Sequence, residues 1–205
     1  MSKAIFDKIK DNFDDLYKEV SSELREITFK LLYDISEINE IFKDIIEKDL
    51  YRKRLIVNIS SSYLENSFDI ILRKKYLPDN EIAEKLLDKI RKTGMSGFNI
   101  LIMNSLIQMF DEDVARKIQS MFDKKGHGKQ LKENIIVYNK LRNECSHIGD
   151  LSKSDLSKVG YDIIYGYIIQ GMIVVYALYN LLTNEREENK LKDIFDKFEY
   201  QLLDE

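Results

Sequence analysis

A chain of 205 residues with a single proline, Pro78, and eight glycines cannot punctuate the many turns that an all-β fold needs. The scarcity of breakers favours long helices, and the apolar spacing agrees. Ile5, Ile9, Phe13, Leu16 and Val20 recur at steps of three and four. The pattern resumes with Leu24, Ile27, Leu31, Ile35, Ile38 and Ile45, so residues 4–46 read as two amphipathic helical segments. Asp49 to about Tyr76 reads as one long helix, stopped ahead of Pro78, whose ring disfavours helical geometry in the residue before it.

A short helix ending near Gly94 is expected next, then one that Ser96 could cap and another that Asp111 could cap, "EDVARKIQSMF". "DKKGHGKQ" reads as a basic glycine-containing loop before a helix from about Gln130 to His147. A polar linker, Asp150 to Asp155, offers Ser152 or Ser154 as cap for a last long helix reaching about Leu182. The charged segment 185–205 reads as a closing amphipathic helix. The whole is one all-α domain: an N-terminal helical extension (1–48), a helical core (49–184) and the C-terminal helix (185–205).

Ile163 to Asn184 contains no charged residue and is long enough to span a bilayer. It also holds Gln170, Asn180, two glycines and four tyrosines, some in its middle, whereas membrane tyrosines prefer the interfaces. A helix buried on most sides by its neighbours gives the same pattern, and that is the expectation here. No membrane partner is expected.

Composition narrows the function classes. One cysteine excludes an intramolecular disulfide, and with only two histidines beside it a structural zinc site is not expected. No metal or cofactor is implied. The charged N-terminal segment does not read as a secretory leader, so a reducing, cytoplasmic location is expected. A net charge of −4 argues against bulk electrostatic binding of nucleic acid, leaving room only for a local basic cleft.

One stretch concentrates chemistry. "NKLRNECSHIGD", Asn139 to Asp150, holds an arginine, an asparagine, the only cysteine and a histidine at a helix end. With Arg142 at zero on a helical wheel, Ser146, Asn139, Asn143 and His147 fall in an arc of roughly 140°. Tyr138, Cys145, Leu141, Ile148 and Val137 take the opposite side. Cys145 therefore faces the core, where a thiol is usually inert. Arg142, Asn143 and His147 share a polar face, which is also how an ordinary solvated helix end looks, with histidine favoured by the dipole.

The pattern "RNECSH", an arginine followed at once by a polar residue and then by histidine five positions on, resembles the Arg-X(4–6)-His signature of the HEPN superfamily. "IIVYNKLRNECSHIGD" has that family's apolar lead-in, and the helix "NISSSYLENSFDIILRKKYL", with Glu65 in its polar row, looks like the one that packs beside the motif helix. The likeness spans about Asp49 to Leu182 and implies an up-and-down bundle of HEPN type with extra N- and C-terminal helices. It also implies a metal-independent endoribonuclease of a toxin–antitoxin or antiviral defence system. Arg142, Asn143 and His147 would be the catalytic residues, in a homodimer whose two motif helices form one site. Some relatives carry a tyrosine two positions after the histidine, where an antitoxin modifies them; Gly149 stands there, so a differently acting antitoxin or partner would be needed.

RNA would have to be drawn to an acidic protein by local cations. Candidates are Arg52 and Arg54 in "YRKR", Arg73 and Lys74 in "RKK", and Lys125 and Lys129 in "KKGHGK". Taken singly, each cluster reads more readily as a solubilising charged face. The alternative to an enzyme is a non-catalytic HEPN-like module that binds a nucleotide or partner, with Arg142 and His147 as ligand contacts. A plain helical scaffold is the third reading.

Overall fold

The computed structural model describes residues 20–76, 85, 108, 112–123, 127–146 and 154–183. Among them there is no strand; they form an all-α helical bundle. The helices are α1 (Ser22–Phe42), α2 (Asp49–Tyr76), α3 (Glu112–Asp123), α4 (His127–Ser146) and α5 (Tyr161–Thr183). Short 3₁₀ turns at Ile46–Lys48 and Asp155–Lys158 lead into α2 and α5. Residues 1–19 and 184–205 lie outside the described residues, as do the two helices expected between Pro78 and Phe110 except for Lys85 and Gln108.

α1 begins where Ser21 caps it, its hydroxyl accepting from the Leu24 amide at 3.4 Å. Leu24, Leu31, Leu32 and Ile35 are buried in the same core as α2 and α5, so residues 22–42 are part of the bundle rather than an appendage to it. α2 is the hub, packing on α1, α4, α5 and both 3₁₀ turns. Its bounds are those expected from the sequence. α4 starts earlier than expected: His127, Gly128 and Lys129 belong to its first turn and not to a loop. A glycine in the helix costs only about 1 kcal/mol, which the helix-forming residues after it offset.

Ser154 does precede a helical turn, yet that turn is the 3₁₀ segment, and its side chain makes no capping bond. α5 starts only at Tyr161. The turn is tied to α4 instead: the Asp155 amide donates to the Glu144 carboxylate at 2.9 Å, and Asp155 pairs with Lys140 at 2.5 Å and Lys158 at 3.1 Å.

α5 is the apolar stretch singled out above. Tyr161–Leu182 is long and apolar enough to cross a membrane, but every residue from 171 to 180 is buried inside the protein. Its polar groups find protein partners. The Tyr165 hydroxyl donates to Asn39 at 2.8 Å, Asn134 donates to Gln170 at 2.7 Å, and Asn180 donates to the Tyr176 carbonyl at 3.2 Å. Tyr179 accepts from Lys74. A core helix among helices satisfies such groups; hydrocarbon could not.

Candidate active site

The last turn of α4 is gripped by α2. Arg142 donates through Nη2 to Glu65 Oε1 at 3.0 Å, an ion pair in which the arginine side chain is only 15% exposed and the glutamate 38%. Its Nη1 reaches the Asn143 side-chain oxygen at 3.4 Å, and its carbonyl accepts from Ser146 Oγ at 3.0 Å. One turn back, the Tyr138 hydroxyl donates to the Val57 carbonyl at 3.0 Å, and burial pushes that phenol well above its usual range. Arg54 Nε donates to the Cys145 carbonyl at 2.7 Å, in the last described turn of the helix. The guanidinium also complements the negative end of the helix dipole.

Two expectations need correcting. Arg142 does not stand on an open polar face: on the wheel it lies beside Tyr138, and α2 covers that edge, so it sits in the α2–α4 seam. Val137, expected with the apolar residues, is 43% exposed, because it lies at the far edge of the buried arc. Cys145, Leu141 and Tyr138 are buried as the wheel required. Burial raises the Cys145 thiol to about 11, Arg54 only partly opposing it, so a thiolate is scarce at neutral pH. Asn143 is exposed. His147 follows Ser146 directly in the chain and, with Ile148, lies outside the described residues.

Glu65 is the electrostatic surprise of the site. Burial pushes its carboxyl above the ordinary value; Arg142 pulls it down and Asp69, one turn on, pushes it up, and the upward effects win. Its role in holding Arg142 was only hinted at by its place in a polar row.

The other cations do not form one patch. Arg52 donates to Asn39 Oδ1 through Nε and Nη2 at 3.0 and 2.6 Å and lies 4.6 Å from the centre of the Tyr161 ring. Lys53, between them in the chain, is buried and pairs with Asp49 at 3.1 Å, while the Tyr161 hydroxyl donates to the same carboxylate at 2.7 Å. This knot, which sequence reasoning missed, ties the start of α2 to the end of α1 and the start of α5. Arg73 and Lys74 lie about twenty residues along α2, roughly 30 Å away. Arg73 is half-buried there, and Lys74 stacks on the Tyr179 ring at 4.8 Å. Lys129 lies in the first turn of α4, and Lys125 falls outside the described residues.

Among the described residues, no group of three or more histidine, cysteine, aspartate or glutamate side chains is disposed to hold a metal ion. Comparison of the chain with protein-family models, with curated proteins and with solved structures found no match.

Proposed function

We propose that the chain is a HEPN-type, metal-independent endoribonuclease, acting in the cytoplasm as a toxin or antiviral-defence effector. The observation that supports this most is the immobilised Arg142: a guanidinium held by Glu65 on the final turn of α4, next to exposed Asn143 and five residues before His147. Cleavage of RNA by its own 2′-OH needs a base for that proton, an acid for the departing 5′-oxygen, and fixed positive charge on the pentavalent phosphorus. Histidine titrates near neutrality and serves either proton role. Arginine stays charged, and its planar fork matches phosphate oxygens. Asn143, at the exposed edge, adds a donor for the phosphate. In the resemblance a second copy of the chain supplies the other histidine, so a homodimer with facing α4 helices is part of the reading. A partner protein that restrains or triggers it belongs to it too.

The test is incubation of purified wild type and His147→Ala with RNA in EDTA, followed by analysis of product ends. Wild type should leave 2′,3′-cyclic phosphate, and the variant should leave RNA intact. Equal cleavage by both, or none by folded wild-type protein across varied RNAs, removes the enzyme reading.

One observation favours the alternative of a non-catalytic binding module. Arg142 is already engaged by a carboxylate and largely covered, as suits a residue that shapes a binding surface. Nucleotide binding weakened by Arg142→Ala, without any RNA cleavage, would select that reading.

A further inference from the structure

The proposed reaction needs two proton-transfer groups, while the motif carries one histidine. The described structure puts a second titratable group against the motif within the same chain. Glu65 Oε1 lies 3.0 Å from Arg142 Nη2, and its side chain is 38% exposed, so the carboxylate is open to a bound molecule rather than sealed in the core. A ribose 2′-OH and the phosphate it attacks are neighbours in the RNA backbone. A guanidinium that grips the phosphate therefore brings the 2′-OH up to whatever flanks the guanidinium. Here that flank is a carboxylate.

We propose that Glu65 is the general base of this site, taking the part that a second histidine would otherwise play and leaving His147, of either copy in the dimer, as the general acid. The inference rests on the ribonuclease reading given above. In the step, the Glu65 carboxylate takes the 2′-OH proton as the 2′-oxygen bonds to phosphorus. The phosphorus–O5′ bond breaks, its electron pair leaves on the 5′-oxygen, and that oxygen takes a proton from the His147 imidazolium. The products are a 2′,3′-cyclic phosphate and a 5′-hydroxyl. Solvent then removes the proton from Glu65 and restores the one on His147, so the balance closes with no other reactant. Arg142 lies between the two anions, the carboxylate and the phosphate, and offsets their repulsion.

The environment suits the role. An efficient base has a pKa brought toward the working pH, and burial moves Glu65 in that direction. The charged groups acting on it are Arg142 from α4, which lowers it, and Asp69 on its own helix, which raises it. The base must be ionised, so the rate falls as pH drops through its pKa. The acid must be protonated, so the rate falls as pH rises through that of His147.

The experiment measures kcat, KM and the pH profile of RNA cleavage for wild type, Glu65→Gln, Asp69→Asn and His147→Ala. Glutamine keeps an oxygen for Arg142 to donate to, so the fold is retained, as thermal melting will check. Glu65→Gln should lower kcat by about a hundredfold or more, the usual worth of a general base, with KM little changed and the acidic limb gone. Asp69→Asn should keep activity and move the acidic limb to lower pH. An active wild type, an inactive His147→Ala and a Glu65→Gln variant that keeps its acidic limb would overturn the base while sparing the ribonuclease. So would a Glu65→Gln change confined to KM, which marks a carboxylate that only positions Arg142. No His147-dependent cleavage at all removes the ribonuclease reading itself.

Discussion

Two glycines of α5, five residues apart, give a direct test of how the bundle is packed. In a helix interior, glycine to alanine gains about 1 kcal/mol, because alanine loses less backbone freedom on folding. At Gly166 a new methyl group meets nothing within 4 Å, so the gain should be realised in full. For a chain of this size that is a rise of about 2–4 °C in Tm. At Gly171 the same methyl would stand 2.9 Å from Leu64 Cδ2 and 3.3 Å from Leu64 Cδ1. Leu64 belongs to α2 and is 2% exposed, so it has little room to move aside. Overpacking of that kind costs about 1–3 kcal/mol. The net effect of Gly171→Ala is then between roughly neutral and about 2 kcal/mol destabilising, and the two variants should differ by about 1–3 kcal/mol. Urea unfolding followed by circular dichroism reads both, with unchanged m-values showing that only stability has moved. Leu64→Ala should cost less in the Gly171→Ala background than in wild type, because it removes the crowding, giving a favourable coupling in the double-mutant cycle. If Gly171→Ala stabilises as much as Gly166→Ala, α2 and α5 do not approach each other at Leu64, and the packing argument falls.

Three further outcomes follow from the site and the knot. Burial favours the protonated form of Asp49, but hydrogen bonds from Tyr161 and Lys53 outweigh it and hold the carboxyl below its ordinary 3.8. Its contribution is therefore present above that value and lost as pH falls through the folded pKa; Asp49→Asn should flatten the acid limb of a stability–pH curve, and an unchanged limb would refute the assignment. Cys145 should react with a disulfide reagent at neutral pH only as fast as the protein opens, because its thiol is buried and raised to about 11; rapid labelling of the native protein would place it at the surface. Arg54→Met should cost about 1–3 kcal/mol, since it removes a charge-assisted hydrogen bond to the Cys145 carbonyl, and Arg54→Lys should restore only part, lacking the planar fork.

The helical class was legible because periodicity and the rarity of breakers are local properties, and α2 was legible to its ends because an unbroken pattern runs into Pro78. The start of α4 was not. Gly126 and Gly128 looked like a loop, yet a glycine lowers helix stability too little to stop a helix by itself. Cys145 could be assigned to the core from the wheel alone, whereas Arg142 could not be placed, because its cover comes from a helix some eighty residues earlier. "YRKR" misled for a related reason. Successive residues of a helix point about 100° apart, so Arg52 turns to Asn39 of α1, Lys53 to Asp49 and the Tyr161 ring, and Arg54 to the end of α4. A run of cations in sequence became two anchors in space, Arg52 and Lys53 over the Tyr161 ring and Arg54 at the end of α4.

That splaying explains why α2, rather than α4, governs the candidate site. Arg54, Val57, Ser61 and Glu65 fall within about 80° of one another on the α2 wheel, so a single strip of that helix faces α4. Its two ends do different work. Arg54 holds a backbone carbonyl two residues before His147, and Glu65 holds the Arg142 guanidinium itself. Between them, the Val57 carbonyl takes the Tyr138 hydroxyl and fixes the axial position of α4. The ion pair is too exposed on its glutamate side to count heavily in stability, where such pairs contribute about 0–1 kcal/mol. The backbone bond from Arg54 is charge-assisted and counts for more. Substitutions at the two ends should therefore separate: change at Arg54 is felt first in the unfolding curve, and change at Glu65 first in the kcat of the proposed cleavage.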